Sequence, residues 1–250
     1  MKISVITLFP KMISGFFDES IVKRAIDKKL VEIEIVNLRD FADDKYKSVD
    51  DRPYGGGAGM ILRADVVWKA LNKIKVINKK TITVITSPKG KRFNQQKAIS
   101  FSKLDHLIIF VGHYEGVDER VMNYIDEEIS LGDFIMTGGE ITASAVVDSV
   151  VRLIPGVLKK DSATKLESFF EVPVTQLIEI MGKNKILENL QKKGKKSVKL
   201  LEYPQYTRPD IFEGKKVPEV LLSGNHKDIE NWRLKQAFEE TVKKRKDLLS

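Results

Sequence analysis

Four short apolar runs rich in β-branched residues, separated by segments of helical periodicity, limit the folds available to this chain. The runs are "ISVITLF" (3–9), "VEIEIVNL" (31–38), "TITVITS" (81–87) and "HLIIFVG" (106–112). The intervening "SIVKRAIDKKL", with Ser20 as its expected N-cap, and "ADVVWKALNKI" carry apolar residues at three- and four-residue spacing. Strands that alternate with helices predict an α/β fold with a mostly parallel sheet.

The pattern changes after "EITASAVVDSVVRLIPG", an apolar helix that Pro155 and Gly156 are expected to end. The remainder is mixed and lysine-rich, and it closes with a long amphipathic helix. We therefore predict an α/β domain over residues 1–158, a linker over residues 159–172 and a small helical, basic domain over residues 173–250.

Composition narrows the class of protein. The chain has no cysteine, which excludes disulfides and thiolate metal sites, and its three histidines lie too far apart in sequence to suggest a zinc cluster. No apolar run approaches the roughly 20 residues needed to cross a bilayer, and the first ten residues do not resemble a signal peptide. A cytoplasmic protein without membrane association is expected.

The formal charge of +8 favours an anionic partner such as nucleic acid, although a lysine-rich surface alone explains it equally well.

Three glycine-containing loops follow predicted strands: "TSPKG" (86–90), "VGHYEGVDERV" (111–121) and "SLGDFIMTGGEITA" (130–143). Ligands of parallel sheets bind beyond the carboxyl ends of the strands. A tight turn is the simpler explanation for any one of these loops, but three in one sheet favour a site whose backbone surrounds an adenine or a ribose. Glu115 lies between two glycines and is expected to face a ligand, whereas Glu119 and Arg120 fit the start of a helix.

The segment "RPYGGGAGM" (52–60) has four glycines in five positions. Its spacing matches neither the P-loop nor the dinucleotide-binding pattern, and no apolar strand precedes it. A phosphate-binding role is therefore excluded for this segment.

Several long motifs resemble those of the bacterial tRNA (guanine-N1)-methyltransferases of the SPOUT superfamily. They are "DDRPYGGGAGM", "GHYEGVDERV", "GDFIMTGGE", "DSVVRLIPGVL", "YPQYTRP" and "VPEVLLSGNHKDIENWRLKQ". The resemblance runs from Met1 to about residue 245. It implies methylation of N1 of guanosine 37 in tRNA by S-adenosylmethionine. It also implies a trefoil knot in the α/β domain and a homodimer whose active sites lie between subunits.

The resemblance further implies which residues hold the cofactor and which act in catalysis. The cofactor-binding residues would be Ser87, Pro88, Gly112, Tyr114, Gly116, Leu131, Gly132, Asp133, Phe134, Ile135, Met136, Gly138 and Gly139. Arg152 matches the catalytic arginine and would stabilise the negative charge that develops on guanine O6. The catalytic aspartate of the family falls on Glu167 in "KLESFF", one methylene longer. A stretch longer than is usual in the family, including "KKGKK", separates it from "LLEYPQYTRP". The alternative is that Glu115 is the base and Glu167 orients it.

The glycine-rich segment resembles a mobile loop of the family that folds over an extruded base. The residues predicted to contact RNA are Asp50, Arg52, Tyr54, Gly55, Gly56, Gly57, Tyr206 and Arg208. Asp50 and Asp51 either hold this loop or bind Mg²⁺, which the resemblance implies as a second cofactor. Two other functions stay open: a knotted methyltransferase that acts on another RNA base, and an RNA-binding relative without catalysis.

Overall fold

The computed structural model describes residues 1–75, 80–159, 167–182 and 184–249. The chain forms two compact units, Met1–Lys159 and Lys160–Ser250. Residues 160–166 of the predicted linker lie outside the described residues. A strand begins at Phe170, inside the segment predicted as linker, because its backbone pairs with a later strand of the same unit.

The first unit contains a sheet with helices on both faces. Its strands are β1 (Lys2–Thr7), β2 (Glu32–Asn37), β3 (Asp50–Asp51), β4 (Ile61–Leu62), β5 (Thr81–Arg92), β6 (His106–Phe110) and β7 (Glu127–Ser130). Its helices are α1 (Pro10–Phe17), α2 (Ser20–Asp27), α3 (Ala64–Ile74), α4 (Gln95–Phe101) and α5 (Glu140–Val151).

The main sheet has the order β2-β1-β6-β5-β7, and every neighbouring pair is parallel. This confirms the predicted parallel sheet and all four predicted strands. Alternate residues of β1 face opposite sides. Ile3 and Val5 pack in the core that includes α1, α2, α4 and α5, whereas Ile6 packs in the core that includes α3.

Strand β5 is interrupted where it pairs with β7. Thr86 and Lys91 both lie opposite Ile129, so the residues between them leave the ladder as a loop. A Cβ at Gly90 would lie 2.5 Å from the backbone nitrogen of Ile129, so only glycine fits there without movement. The parallel arrangement places this loop at the carboxyl edge of the sheet, together with the ends of β1, β6 and β7.

The prediction that Ser20 caps α2 is wrong. The helix includes Ser20, and its N-cap is Glu19, whose side chain makes no capping hydrogen bond. Val22 and Ala25 are buried in the core of the first unit. Packing of this apolar face stabilises the helix without a polar cap.

The second unit has its own core. Its elements are β8 (Phe170–Pro173), α6 (Val174–Met181), α7 (Lys185–Lys192), β9 (Ser197–Leu200), β10 (Ile211–Phe212), β11 (Lys215–Lys216), α8 (Glu219–Leu222) and α9 (His226–Lys244). Antiparallel β8 and β9 pack with α6, α7 and α9 around Leu177 and Phe238. None of the helices in the described part of the chain combines the length and the apolar composition that crossing a bilayer requires.

Candidate functional site

A cavity of about 380 Å³ lies at the carboxyl edge of the main sheet. Its wall is built from the loop that interrupts β5 and from the loops that follow β6 and β7, and it includes every predicted cofactor-binding residue except Asp133. The side chain of Asp133 is largely exposed and forms an ion pair with Arg92 instead. The parallel register therefore brings together predicted cofactor-binding residues as far apart in the sequence as Ser87 and Gly139.

The three loops meet at Thr86. Its hydroxyl accepts a hydrogen bond from the Gly112 backbone N–H at 3.0 Å, and the Gly139 N–H donates to the Gly112 carbonyl at 3.0 Å. A Cβ at Gly139 would lie only 1.9 Å from Thr86 Oγ1, and one at Gly112 would lie 2.6 Å from the Thr86 carbonyl oxygen. These two glycines thus permit the loops to touch one another, which holds the cavity wall in place.

The glycine-rich segment is the tip of a small hairpin beside this cavity. Strands β3 and β4 pair antiparallel on either side of residues 52–60. The Glu115 N–H donates to the Met60 carbonyl at 3.1 Å, and a Cβ at Gly59 would lie 2.5 Å from Glu115 Cγ. The tip therefore rests on the loop that carries Glu115, which is an exposed residue of the cavity wall.

The side chains of the hairpin tip are free to meet a large ligand. Tyr54 is 99% exposed, and Arg52 is exposed as well. Six of the residues predicted to contact RNA lie in this hairpin: Asp50 is in β3, and Arg52, Tyr54, Gly55, Gly56 and Gly57 are in the tip. The three glycines have positive φ angles, which favour glycine over other residues.

Asp118 and Arg120 form a local ion pair beyond the cavity loop. The Arg120 Nε and Nη2 donate to the two carboxylate oxygens of Asp118 at 2.9 and 2.6 Å. The hydrogen bond from this guanidinium holds the pKa of Asp118 below its usual value. Asp118 also accepts from the Arg120 backbone N–H at the start of a short 3₁₀ helix. This agrees with the expectation that Arg120 belongs to a helix start.

Arg152 and Glu167 do not line the cavity of the first unit. Arg152 is half-buried at the C-cap of α5, where its backbone N–H donates to the Asp148 carbonyl at 3.2 Å. Glu167 is half-buried in the second unit, just before β8, and its carbonyl accepts from the Phe170 N–H at 3.2 Å. Their predicted roles therefore rest on the motif resemblance.

Tyr206 and Arg208 lie in the second unit, where both are exposed. The Tyr206 ring lies 6.3 Å from that of Trp232, a tilted aromatic contact that leaves 49% of Tyr206 accessible. An exposed aromatic side chain next to a basic residue is suited to contact with a nucleic acid.

The predicted magnesium ligands Asp50 and Asp51 form the short strand β3. Asp51 Oδ1 accepts from the Arg52 N–H at 2.7 Å. Within the part of the chain that the structure describes, no group of three or more His, Asp or Glu side chains is arranged to hold a metal ion. We assign no step to a metal.

Sequence reasoning missed three residues around the cavity: Thr86, His113 and Glu140. Thr86 and His113 are in the cavity wall, and Glu140 is only 1% exposed at the first position of α5. The available signal was position along the chain: Thr86 precedes the predicted cofactor-binding Ser87, His113 follows Gly112, and Glu140 follows Gly139. The contacts that make them important join distant parts of the chain, as in the 133-residue separation of Thr7 and Glu140.

Comparison with known proteins places the whole chain in one group. The family model described as tRNA (Guanine-1)-methyltransferase TrmD matches residues 1–250. A tRNA (guanine-N(1)-)-methyltransferase of Dictyoglomus turgidum is 47% identical over 100% of this chain and 90% of the relative. Proteins with the same name from Clostridium botulinum and Carboxydothermus hydrogenoformans are 48% and 46% identical. These two matches cover 99% and 100% of this chain, and 92% and 87% of the relatives.

Proposed function

The chain belongs to the tRNA (guanine-1)-methyltransferase family, and from this we propose that it methylates N1 of guanosine 37 in tRNA, next to the anticodon. It is a methyltransferase, and its family implies the use of S-adenosylmethionine. The observation that carries the proposal is the cavity at the carboxyl edge of the sheet, whose wall contains nearly all the residues that the motifs assign to the cofactor.

The residues of the cavity fit such a cofactor. Backbone amides and carbonyls of the glycine turns are suited to an adenine ring, and the carboxylates of Glu115, Glu119 and Glu128 lie in the wall, where they favour a positively charged ligand. S-adenosylmethionine would supply a methyl group on a positively charged sulfur, which needs in-line placement rather than activation.

The chemistry left to the protein concerns the guanine. N1 carries a proton at neutral pH, and it becomes a good nucleophile only when that proton is removed. We assign proton removal to Glu167 and the stabilisation of charge on O6 to Arg152, whose guanidinium offers several N–H donors. Glu115 would accept from the N1–H or N2–H edge and so distinguish guanine from adenine, which presents a different pattern of donors there.

The hairpin tip is proposed to cover the extruded base. Its contact with the Glu115 loop supports this role, because a movement of the tip would reach the cavity mouth directly. Tyr54 is the candidate for stacking on a base, and Arg52 for a phosphate or base contact. Tyr206 and Arg208 are proposed to contact the tRNA from the second unit.

We also propose the trefoil knot. After β7 the chain returns to the end of β6, where Gly138 pairs with His113 and the Gly139 N–H donates to the Gly112 carbonyl. On the way it passes Thr86 at a distance that only glycine allows. This close return of one loop across two others supports a threaded arrangement.

A homodimer is proposed on the basis of an apolar surface. Met12 and Phe16 on α1 and Ile141 on α5 are exposed, although α1 and α5 pack in the same core. Exposed apolar side chains on neighbouring helices are typical of a protein interface.

The glycine contacts give a prediction for cofactor binding. In Gly139→Ala the new methyl group clashes with Thr86 Oγ1, so the cavity wall must shift, at a cost of about 1–3 kcal/mol. If this cost is lost from the binding free energy, the affinity for S-adenosylmethionine should fall about 10–100-fold. Calorimetry measures this affinity. The matched control is Gly194→Ala in the second unit, where a Cβ also meets nothing within 4 Å. The positive φ of Gly194 lowers the stability of this variant slightly, and its affinity for the cofactor stays that of the wild type. If Gly139→Ala and the wild type bound S-adenosylmethionine with equal affinity, the assignment of the cofactor to this cavity would be refuted.

Primer extension on a tRNA transcript tests the proposed function. With protein and S-adenosylmethionine, the reverse transcriptase is expected to stop at guanosine 37, because a methyl group on N1 blocks base pairing. A transcript with adenosine at position 37 should give no stop. A stop at a different base would favour the alternative knotted methyltransferase. A wild-type protein that binds the transcript but takes up no cofactor would favour the non-catalytic alternative.

A further inference from the structure

Glu140 has a buried carboxylate in which only one of the two oxygens accepts a hydrogen bond from the described part of the chain. Its Oε1 accepts from the Thr7 hydroxyl at 2.8 Å, and the Thr7 oxygen in turn accepts from the Phe9 N–H at 2.9 Å. Among the described residues, Oε2 has no hydrogen-bond partner, although it is shielded from solvent. A buried carboxylate oxygen without a donor costs free energy, so a nearby donor is expected.

His113 offers a candidate donor close to this oxygen. Its Nδ1 accepts from the Tyr114 backbone N–H at 3.0 Å, so in the neutral ring the proton must be on Nε2. A Cβ at Gly138 would lie 2.4 Å from Glu140 Oε2 and 2.8 Å from His113 Nε2. Glu140 Oε2 and His113 Nε2 therefore both border the space that the missing side chain of Gly138 leaves open.

From this arrangement we propose that Glu140 is a positioning residue, whose Oε2 accepts a hydrogen bond from His113 Nε2–H and so fixes the wall of the cofactor cavity. A small movement of the carboxylate into the space beside Gly138 forms this bond. His113 and Gly138 are both in the cavity wall and already pair through their backbones. The inference rests on the proposed function for its consequence, because the fixed wall is the one that would hold S-adenosylmethionine.

The pair joins three parts of the sheet edge. Thr7 ends β1, His113 follows β6 and Glu140 begins α5. The His113 ring also packs against the ring of Phe9, with centroids 4.8 Å apart. One carboxylate can thus hold the end of β1 with one oxygen and the loop after β6 with the other.

Nuclear magnetic resonance of the ligand-free protein tests the bond directly. The chain has three histidines, so the His113→Asn variant identifies the signal of His113. We expect an Nε2–H proton that exchanges slowly in the wild type and becomes fast in Glu140→Gln, where the neutral amide is a weaker acceptor and has only one acceptor oxygen. Thr7→Val removes only the partner of Oε1 and should keep the slow proton. Equal exchange in wild type and Glu140→Gln would overturn the proposal.

Cofactor binding tests the consequence. Glu140→Gln and His113→Asn are each expected to weaken S-adenosylmethionine binding about 10-fold, the size of one charge-assisted hydrogen bond. The double variant should bind S-adenosylmethionine no more weakly than whichever single variant has the larger loss of affinity, because both substitutions remove the same bond. Additive losses would instead mean that the two residues act separately, and would overturn the pair. If Glu140→Gln does not fold, Gly138→Ala serves in its place for the proton-exchange measurement, since its Cβ occupies the space in which the bond would form.

The two hypotheses fail in different ways. A wild-type protein that takes up no S-adenosylmethionine would refute the proposed function. The exchange of the His113 proton would still decide whether the pair exists.

Discussion

Replacing Arg152 by alanine is expected to lower kcat for methyl transfer about 10²–10³-fold, the usual cost of removing one donor that stabilises a developing negative charge. The affinity for S-adenosylmethionine should stay nearly unchanged, because Arg152 is not in the cavity wall. Single-turnover rates on a tRNA transcript and calorimetry with the cofactor measure the two quantities separately.

The position of Arg152 at a helix end supplies the competing explanation. An arginine at a C-cap can stabilise the helix through its last carbonyls, at about 0.3–1 kcal/mol. Arg24 provides a matched control, since it lies in the last turn of α2 and donates from Nε to the Ser20 carbonyl at 3.2 Å. Arg24→Ala should lower the melting temperature slightly and leave kcat unchanged.

Arg152→Lys separates charge from geometry. Lysine keeps the positive charge but loses the planar set of donors, so partial recovery of kcat is expected. If Arg152→Ala weakened cofactor binding in proportion to the loss of kcat, or behaved like Arg24→Ala, the residue would be structural.

The framework of the sheet was predictable because its strands are buried on both faces. β1, β5 and β6 are apolar runs with β-branched residues, and such runs are typical of central parallel strands. β7 was not predicted. Its sequence "EEIS" is short and half acidic, and it becomes a strand through pairing with both segments of β5 around Ile129. Pairing of this kind depends on the tertiary fold, which local periodicity does not contain.

In the candidate site too, some features could be predicted from local sequence and others depend on the tertiary fold. The glycine turns could be predicted, because a glycine cluster after a strand indicates a close backbone approach. The residue that approaches Gly139 and Gly112 could not be predicted. It is Thr86, which reaches these glycines only after β5 and β6 have paired. Glu140 likewise resembles an ordinary acid in the first turn of a helix, and its burial against Thr7 is visible only in the fold.

The choice of base between Glu167 and Glu115 leads to the second large expected effect. Glu167→Gln is expected to lower the single-turnover rate about 10²–10⁴-fold, the range for removing a general base. Because the substitution keeps the size of the side chain, binding of the cofactor and of tRNA should change little. Glu115→Gln should mainly weaken discrimination between guanine and adenine.

The pH dependence of these variants distinguishes a base from an orienting residue. If Glu167 removes the N1 proton, the rate of Glu167→Gln should rise continuously towards alkaline pH, because guanine N1 then loses its proton without help. If Glu115→Gln shows this rise and Glu167→Gln keeps the wild-type profile at a lower level, the roles are reversed.

Glu167→Asp adds a further test. The motif resemblance implies aspartate at this position, so the shorter carboxylate should keep measurable activity if the backbone of Glu167 lies where that motif requires. A rate as low as that of Glu167→Gln would mean that the extra methylene is needed to reach the guanine.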